Sequence, residues 1–126
     1  MELLNSILTW VMKKRIHQIE LFMKYPFEVQ EEVFKKLIGT AQNTQWGRMY
    51  GYSEIRTVKE FKERVPVSSY EQLYPYIERT IKGEHNVLWP SEIKWFAKSS
   101  GTTNARSKFI PVSFEALHEC HLAVSS

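Results

Sequence analysis

The sequence has a single cysteine, Cys120, so no internal disulfide can form and a disulfide-built secreted scaffold is excluded. One lone thiol fits a reducing compartment, and the expected location is the cytoplasm. Excess charge of one sign is also scarce: 17 Lys and Arg stand against 14 Asp and Glu, a net +3 that is mixed along the chain. That balance lacks the gathered basic face of a nucleic-acid-binding module. Apolar runs of bilayer length are missing too. The richest, through Leu3, Leu4, Ile7, Leu8, Trp10 and Val11, is cut off by Lys13, Lys14 and Arg15. It has no positive leader before it and no small-residue cleavage pattern after it, so neither a membrane span nor a signal peptide is expected. Only five glycines and five prolines punctuate the 126 residues. With no repeat, low-complexity tract or flexible linker, residues 1–126 are expected to form one unit without an internal boundary.

What is present is enough apolar surface for a core, 43% of residues, arranged first with helical and then with strand periodicity. Leu4, Leu8, Val11, Ile16, Ile19, Phe22 and Met23 recur at helical spacing, predicting a long amphipathic first helix with a buried face. Pro26 starts a second helix, because the residue before a proline avoids helical geometry while proline suits a first helical turn. Its expected buried stripe is Val29, Val33, Leu37 and Ala41. Residues 42–52, with Trp46-Gly47 and Tyr50-Gly51, read as a packed loop. Thr57 with Glu60 and Ser68 with Glu71 match the capping box, each predicting a helix start, and Pro75 is expected to limit the second to a brief turn unless it restarts through Tyr76, Ile77 and Ile81. Lys82-Gly83 reads as a stop. Ile93, Trp95 and Ala97 then alternate with Lys94, Phe96 and Lys98 in a strand-like way, and Phe109, Ile110 and Val112 form a second apolar run. Two short strands flanking a polar loop follow, and Ser113 caps a last helix through Phe114, Ala116, Leu117, Cys120 and Leu122.

Several chemically suggestive residues lack the context that function would need. His118 and His121 share a helical face while Cys120 points elsewhere, and no second ligand cluster completes a tetrahedral metal site. Cys120 has no activating base in a known order. The scattered Trp and Tyr residues are read as packing groups, not base-stacking platforms. No catalytic residue and no metal ligand is assigned.

The chemistry is concentrated in Ser99-Ser100-Gly101-Thr102-Thr103-Asn104-Ala105-Arg106-Ser107-Lys108. Hydroxyls and backbone amides of a glycine-containing turn can converge on phosphate oxygens, and nearby cations stabilise charge on a departing pyrophosphate. The stretch is not the Gly-x-x-x-x-Gly-Lys-Ser/Thr loop, because it lacks the second glycine and leads into a strand. Ser/Thr/Gly clusters between apolar runs are most often solvated hairpin turns. The order of residues is what argues for more: Ser-Ser-Gly-Thr-Thr, four residues, then Lys, entered from Trp95-Phe96-Ala97 and left through Phe109-Ile110-Pro111-Val112-Ser113.

That order resembles the phosphate-binding motif of the adenylate-forming superfamily, and its spacing to Lys108 is similar to the acyl acid-amido synthetase branch, the auxin-responsive promoter family, bacterial members above all. Thr44-Gln45-Trp46-Gly47, the stretch from Phe61 to Pro66, and Tyr70 to Arg79 with its Tyr-Pro-Tyr core resemble the family's amino-terminal region in the same order. Ala105 departs from a glycine common in the family, and family enzymes are several times longer. The resemblance implies an α/β architecture, the helix-rich amino-terminal part of an adenylate-forming domain, with a helical layer packed on a short β-hairpin that carries the phosphate loop. It implies that Ser99, Ser100, Gly101, Thr102 and Thr103 hold phosphates and that Lys108 neutralises charge beside them. It further implies ATP and Mg2+ as cofactors, the metal's ligands lying outside this chain, and a carboxylic acid, an amino acid and the remainder of the same polypeptide as partners. The reaction would be acyl-adenylate formation followed by amide formation, with this stretch alone inactive. The alternative is a non-catalytic helical interaction or membrane-surface module built on the basic amphipathic first helix.

Overall fold

The computed structural model describes residues 1–100 and 106–121. The chain groups into two compact units, residues 1–36 and 37–126. In the first, α1 (Glu2–Lys24) is one unbroken helix that ends at Tyr25, whose backbone N–H donates to the Leu21 carbonyl at 2.8 Å. Pro26 then opens α2 (Pro26–Ala41), as its fixed φ favours. No residue of α1 is buried, and Trp10 remains 64% exposed. The expected buried face is therefore absent among the described residues. Leu3, Leu4, Ile7, Leu8 and Val11 do fall on one side of the helix, but helical spacing creates only the stripe; burial needs a partner surface, and among the described residues none covers it.

The buried edge of α2 is also offset from expectation. Ile38 and Ala41 are buried and Phe34 is half-buried, whereas Val33 and Leu37 are about half exposed. Both sets satisfy helical spacing, so the choice was made by tertiary contacts and not by periodicity.

In the second unit, residues 42–52, expected to be a loop, contain one short helix, Gln45–Met49, between turns. Thr44 caps α3 (Gln45–Met49), accepting a hydrogen bond from the Gly47 N–H at 2.9 Å while its hydroxyl donates to the Ala41 carbonyl at 2.7 Å. Fully buried, Thr44 joins the end of α2 to the start of α3. Gly47 is required by close approach: a Cβ there would stand 2.1 Å from the Ala41 carbonyl oxygen. The α3 backbone also receives the incoming residues 86–87, since the Gln45 and Trp46 amides donate to the Asn86 and Val87 carbonyls, both at 3.0 Å. Val87, with Ile38, Ala41, Ile55 and Ile77, makes the small core.

The Thr57–Glu60 capping box opens α4 (Val58–Arg64) as the sequence predicts. The next box falls one residue later than expected, on Ser69 and Gln72, and opens α5 (Tyr70–Ile81). Pro75 lies inside α5 without ending it. Glu71 and Pro75 are both exposed, so the one backbone bond that proline removes is lost where water can replace it. The helix stops at a Schellman turn: Gly83 at φ +90° donates to the Thr80 carbonyl and Glu84 donates to that of Arg79. A two-pronged ion pair from Arg79 to Glu84, at 2.5 and 2.6 Å, clamps the same turn.

Strands β1 (Trp95–Lys98) and β2 (Phe109–Val112) pair antiparallel with Lys98 opposite Phe109. Ser113 caps α6 (Phe114–Ala116), which widens into a π-helical turn over Leu117–His121. The helix-rich α/β character and the hairpin expected from sequence are thus both present.

Candidate phosphate-binding site

Residues 99–108 begin and end on one pair. The Ser99 amide donates to the Lys108 carbonyl at 2.9 Å, which extends the β1–β2 ladder by one step beyond Lys98 and Phe109. In a regular narrow pair the Lys108 amide would return a bond to the Ser99 carbonyl. Here it donates to the Ser99 hydroxyl at 3.1 Å instead. Ser99 therefore sits at the base of the segment, its oxygen accepting from Lys108 while its hydroxyl hydrogen has no acceptor among the described residues and could be offered to an anion. Ser100 is exposed. Gly101, Thr102 and Thr103 lie outside the described residues.

Pairs along an antiparallel ladder alternate, so the step after Ser99 and Lys108 turns the Phe109 N–H and C=O away from β1. Both groups meet the same side chain. The Tyr70 hydroxyl accepts from the Phe109 amide at 3.0 Å and donates to the Phe109 carbonyl at 3.1 Å. Tyr70 is the first residue of α5, placed there by the Ser69 cap, and it anchors α5 against the outer edge of β2. Nothing local in the sequence marks it, because its partner is 39 positions away.

Lys108 is exposed, and its ammonium stands 5.4 Å from the centre of the Tyr70 ring. Such an exposed cation–π contact is worth about 0.5–1 kcal/mol, enough to bias the side chain but weaker than a charge-assisted bond to a phosphate oxygen. An arriving anion can displace the ring as the ammonium's partner. Tyr70, Glu71, Tyr74, Arg106, Ser107, Lys108 and Phe109 line a cleft of about 560 Å³. Two cations and two phenol rings face one carboxylate there. The cleft favours an anion with an apolar or aromatic portion.

Among the described residues, no three His, Cys, Asp or Glu side chains gather as a metal site requires. No helix among them is long and apolar enough to cross a membrane.

Comparison with known proteins places these features in a family context. A model of the GH3 family N-terminal domain matches residues 15–126. An indole-3-acetic acid-amido synthetase of Arabidopsis thaliana is 32% identical over 113 residues, covering 89% of this chain and 21% of that protein. A jasmonoyl-L-amino acid synthetase of Nicotiana attenuata is 30% identical over 106 residues, covering 83% of this chain and 18% of that protein. Among solved structures, the GH3.15 acyl acid amido synthetase superposes with a TM-score of 0.75 at 25% identity, over 86% of this chain and 20% of that one. The chain thus spans about a fifth of the length of the curated relatives it matches.

Proposed function

The chain belongs to the GH3 family, and from that premise we propose that it supplies the phosphate-binding part of an ATP-dependent ligase that joins a carboxylic acid to an amino acid. In the proposed reaction a substrate carboxylate oxygen attacks the α-phosphorus of ATP and the bond to the β-phosphate oxygen breaks, giving acyl-AMP and pyrophosphate. The amino acid's amine then attacks the acyl carbon, loses a proton and expels AMP, leaving an amide. The observation that carries this reading is the Ser99–Lys108 pair, which joins the two ends of residues 99–108 and sets the Lys108 backbone beside the Ser99 hydroxyl.

The residues divide into two kinds of role. Ser99, Ser100, Gly101, Thr102 and Thr103 offer hydroxyl or amide donors to the phosphates, and the Lys108 ammonium offsets charge that accumulates on pyrophosphate as it departs. ATP acts as its Mg2+ complex in this scheme. Among the described residues the cleft offers one carboxylate, that of Glu71, too few protein ligands to hold a divalent ion, so the metal would arrive on the nucleotide's own phosphates. The acyl and amine pockets belong to the remainder of the polypeptide, and this stretch by itself is proposed to be inactive. The cytoplasm is its proposed location.

Product analysis tests the reading. The full-length protein, given ATP, a panel of carboxylic acids and a mixture of amino acids, should yield AMP, pyrophosphate and an acyl-amino acid amide. Formation of ADP and orthophosphate without an amide would refute it, because that pattern places attack at the γ-phosphate.

A second reading is favoured by one observation, that no residue of α1 is buried. Its apolar residues are unburied and Lys14 lies 5.4 Å from the Trp10 ring, a pairing suited to a membrane interface. Co-sedimentation with anionic vesicles that is lost on deleting residues 1–25 would support it, and no sedimentation would dismiss it.

A further inference from the structure

We propose that Tyr70 is a positioning residue for nucleotide binding, acting through Phe109 and Lys108 to hold the exit of the phosphate-binding segment in place; the inference rests on the function proposed above. Three observations converge on it. First, the ladder register turns the Phe109 N–H and C=O outward, at the position immediately after Lys108. An unpaired strand edge at that point would leave the segment's second strut free to shift. Second, one hydroxyl satisfies both groups, at 3.0 and 3.1 Å, and so takes the place of a neighbouring strand at that single position. Third, the ring of the same side chain lies beneath the Lys108 ammonium, so one residue constrains both the backbone and the charged tip of that strut.

The base of the segment is therefore held from two sides. Ser99 fixes Lys108 through the inner edge of the hairpin, and Tyr70 fixes Phe109 through the outer edge. Tyr70 touches no phosphate in this scheme. Its effect is to reduce the ordering that ATP binding would otherwise have to impose on Lys108 and the donors preceding it. Because α5 carries Tyr70 at its first position, the Ser69–Gln72 capping box becomes part of the same device: it sets the register that presents Tyr70 to β2.

The test compares the full-length wild type with Tyr70→Phe and Tyr70→Leu. Tyr70→Phe keeps the ring below Lys108 and removes both hydrogen bonds. It should speed amide exchange at Phe109 and raise the KM for ATP about three- to tenfold, the scale of one or two neutral hydrogen bonds, while kcat and the KM for the carboxylic acid stay within about twofold. Tyr70→Leu, which also removes the ring, should lower kcat as well. Normal ATP kinetics in Tyr70→Phe, or equal changes in the KM for ATP and for acid with a general loss of thermal stability, would overturn the inference and leave Tyr70 a structural residue. A wild type that forms no amide and releases no pyrophosphate with any acid would instead defeat the proposed function, and this inference would fall with it.

Discussion

Ser99 and Lys108, nine positions apart, are joined by two hydrogen bonds, one through the ladder and one through the Ser99 hydroxyl. Only the second depends on the side chain. Ser99→Ala should therefore leave the hairpin folded, costing at most about 1 kcal/mol because the Lys108 amide is at an exposed position. Its larger effect should be on ATP, whose KM is expected to rise about three- to tenfold through a looser base. Thermal melts and ATP titrations of the full-length variant check the two halves separately.

Gly47 and Gly83 should fail for different reasons when changed to alanine. At Gly47 a Cβ would press on the Ala41 carbonyl, so the backbone must move and the cost should reach about 1–3 kcal/mol or more. At Gly83 nothing lies within 4 Å of the new Cβ, but φ is +90°. The cost there should be conformational, about 1–2 kcal/mol. Denaturant titrations of the two variants should rank Gly47→Ala as the more damaging.

Acid should weaken α4 through Glu60. Hydrogen bonds from the Arg56 amide first, and also from the Thr57 amide, hold the Glu60 carboxyl below its usual pKa of 4.5. A carboxyl depressed in the folded state contributes stability that is complete above the unfolded pKa and disappears as pH falls through the folded one. Glu60→Gln keeps an acceptor oxygen and loses the titration. Melting temperatures recorded from about pH 6 to pH 3 should therefore fall less steeply in Glu60→Gln than in the wild type. Parallel curves would show that the cap does not depend on the charge.

Much of this architecture was legible because its determinants are local. Pro26, the Thr57–Glu60 box, the Gly83 stop and the Ser113 cap each act within a few residues, and each stands where the sequence predicts. The misplacements share another cause. Ser68-x-x-Glu71 and Ser69-x-x-Gln72 are both acceptable boxes, and the second places Tyr70 as the helix's first residue, against Phe109. A short-range pattern cannot weigh a contact across 39 positions. The same holds for α2, where Phe34 and Ile38 displaced Val33 and Leu37. Helix α3 also has a local signal, Thr44 followed three residues later by the close-packed Gly47, but the turn formers Trp46-Gly47 and Tyr50-Gly51 around it mask that cap. For the candidate site, the run from Ser99 to Lys108 was visible in the residue order, while Tyr70 was not, since only the folded ladder reveals which edge of Phe109 lacks a partner.

Residues 99–108 are proposed to grip the phosphates of ATP for attack by a carboxylate. Isotope exchange between pyrophosphate and ATP in the full-length protein addresses that role most directly, because it reports adenylate formation without needing the amine. Exchange should require a carboxylic acid and should drop by about a hundredfold or more in both Thr102→Ala and Lys108→Ala, the scale of losing one stabilising donor at a developing charge. Exchange at the wild-type rate in both variants would contradict the account.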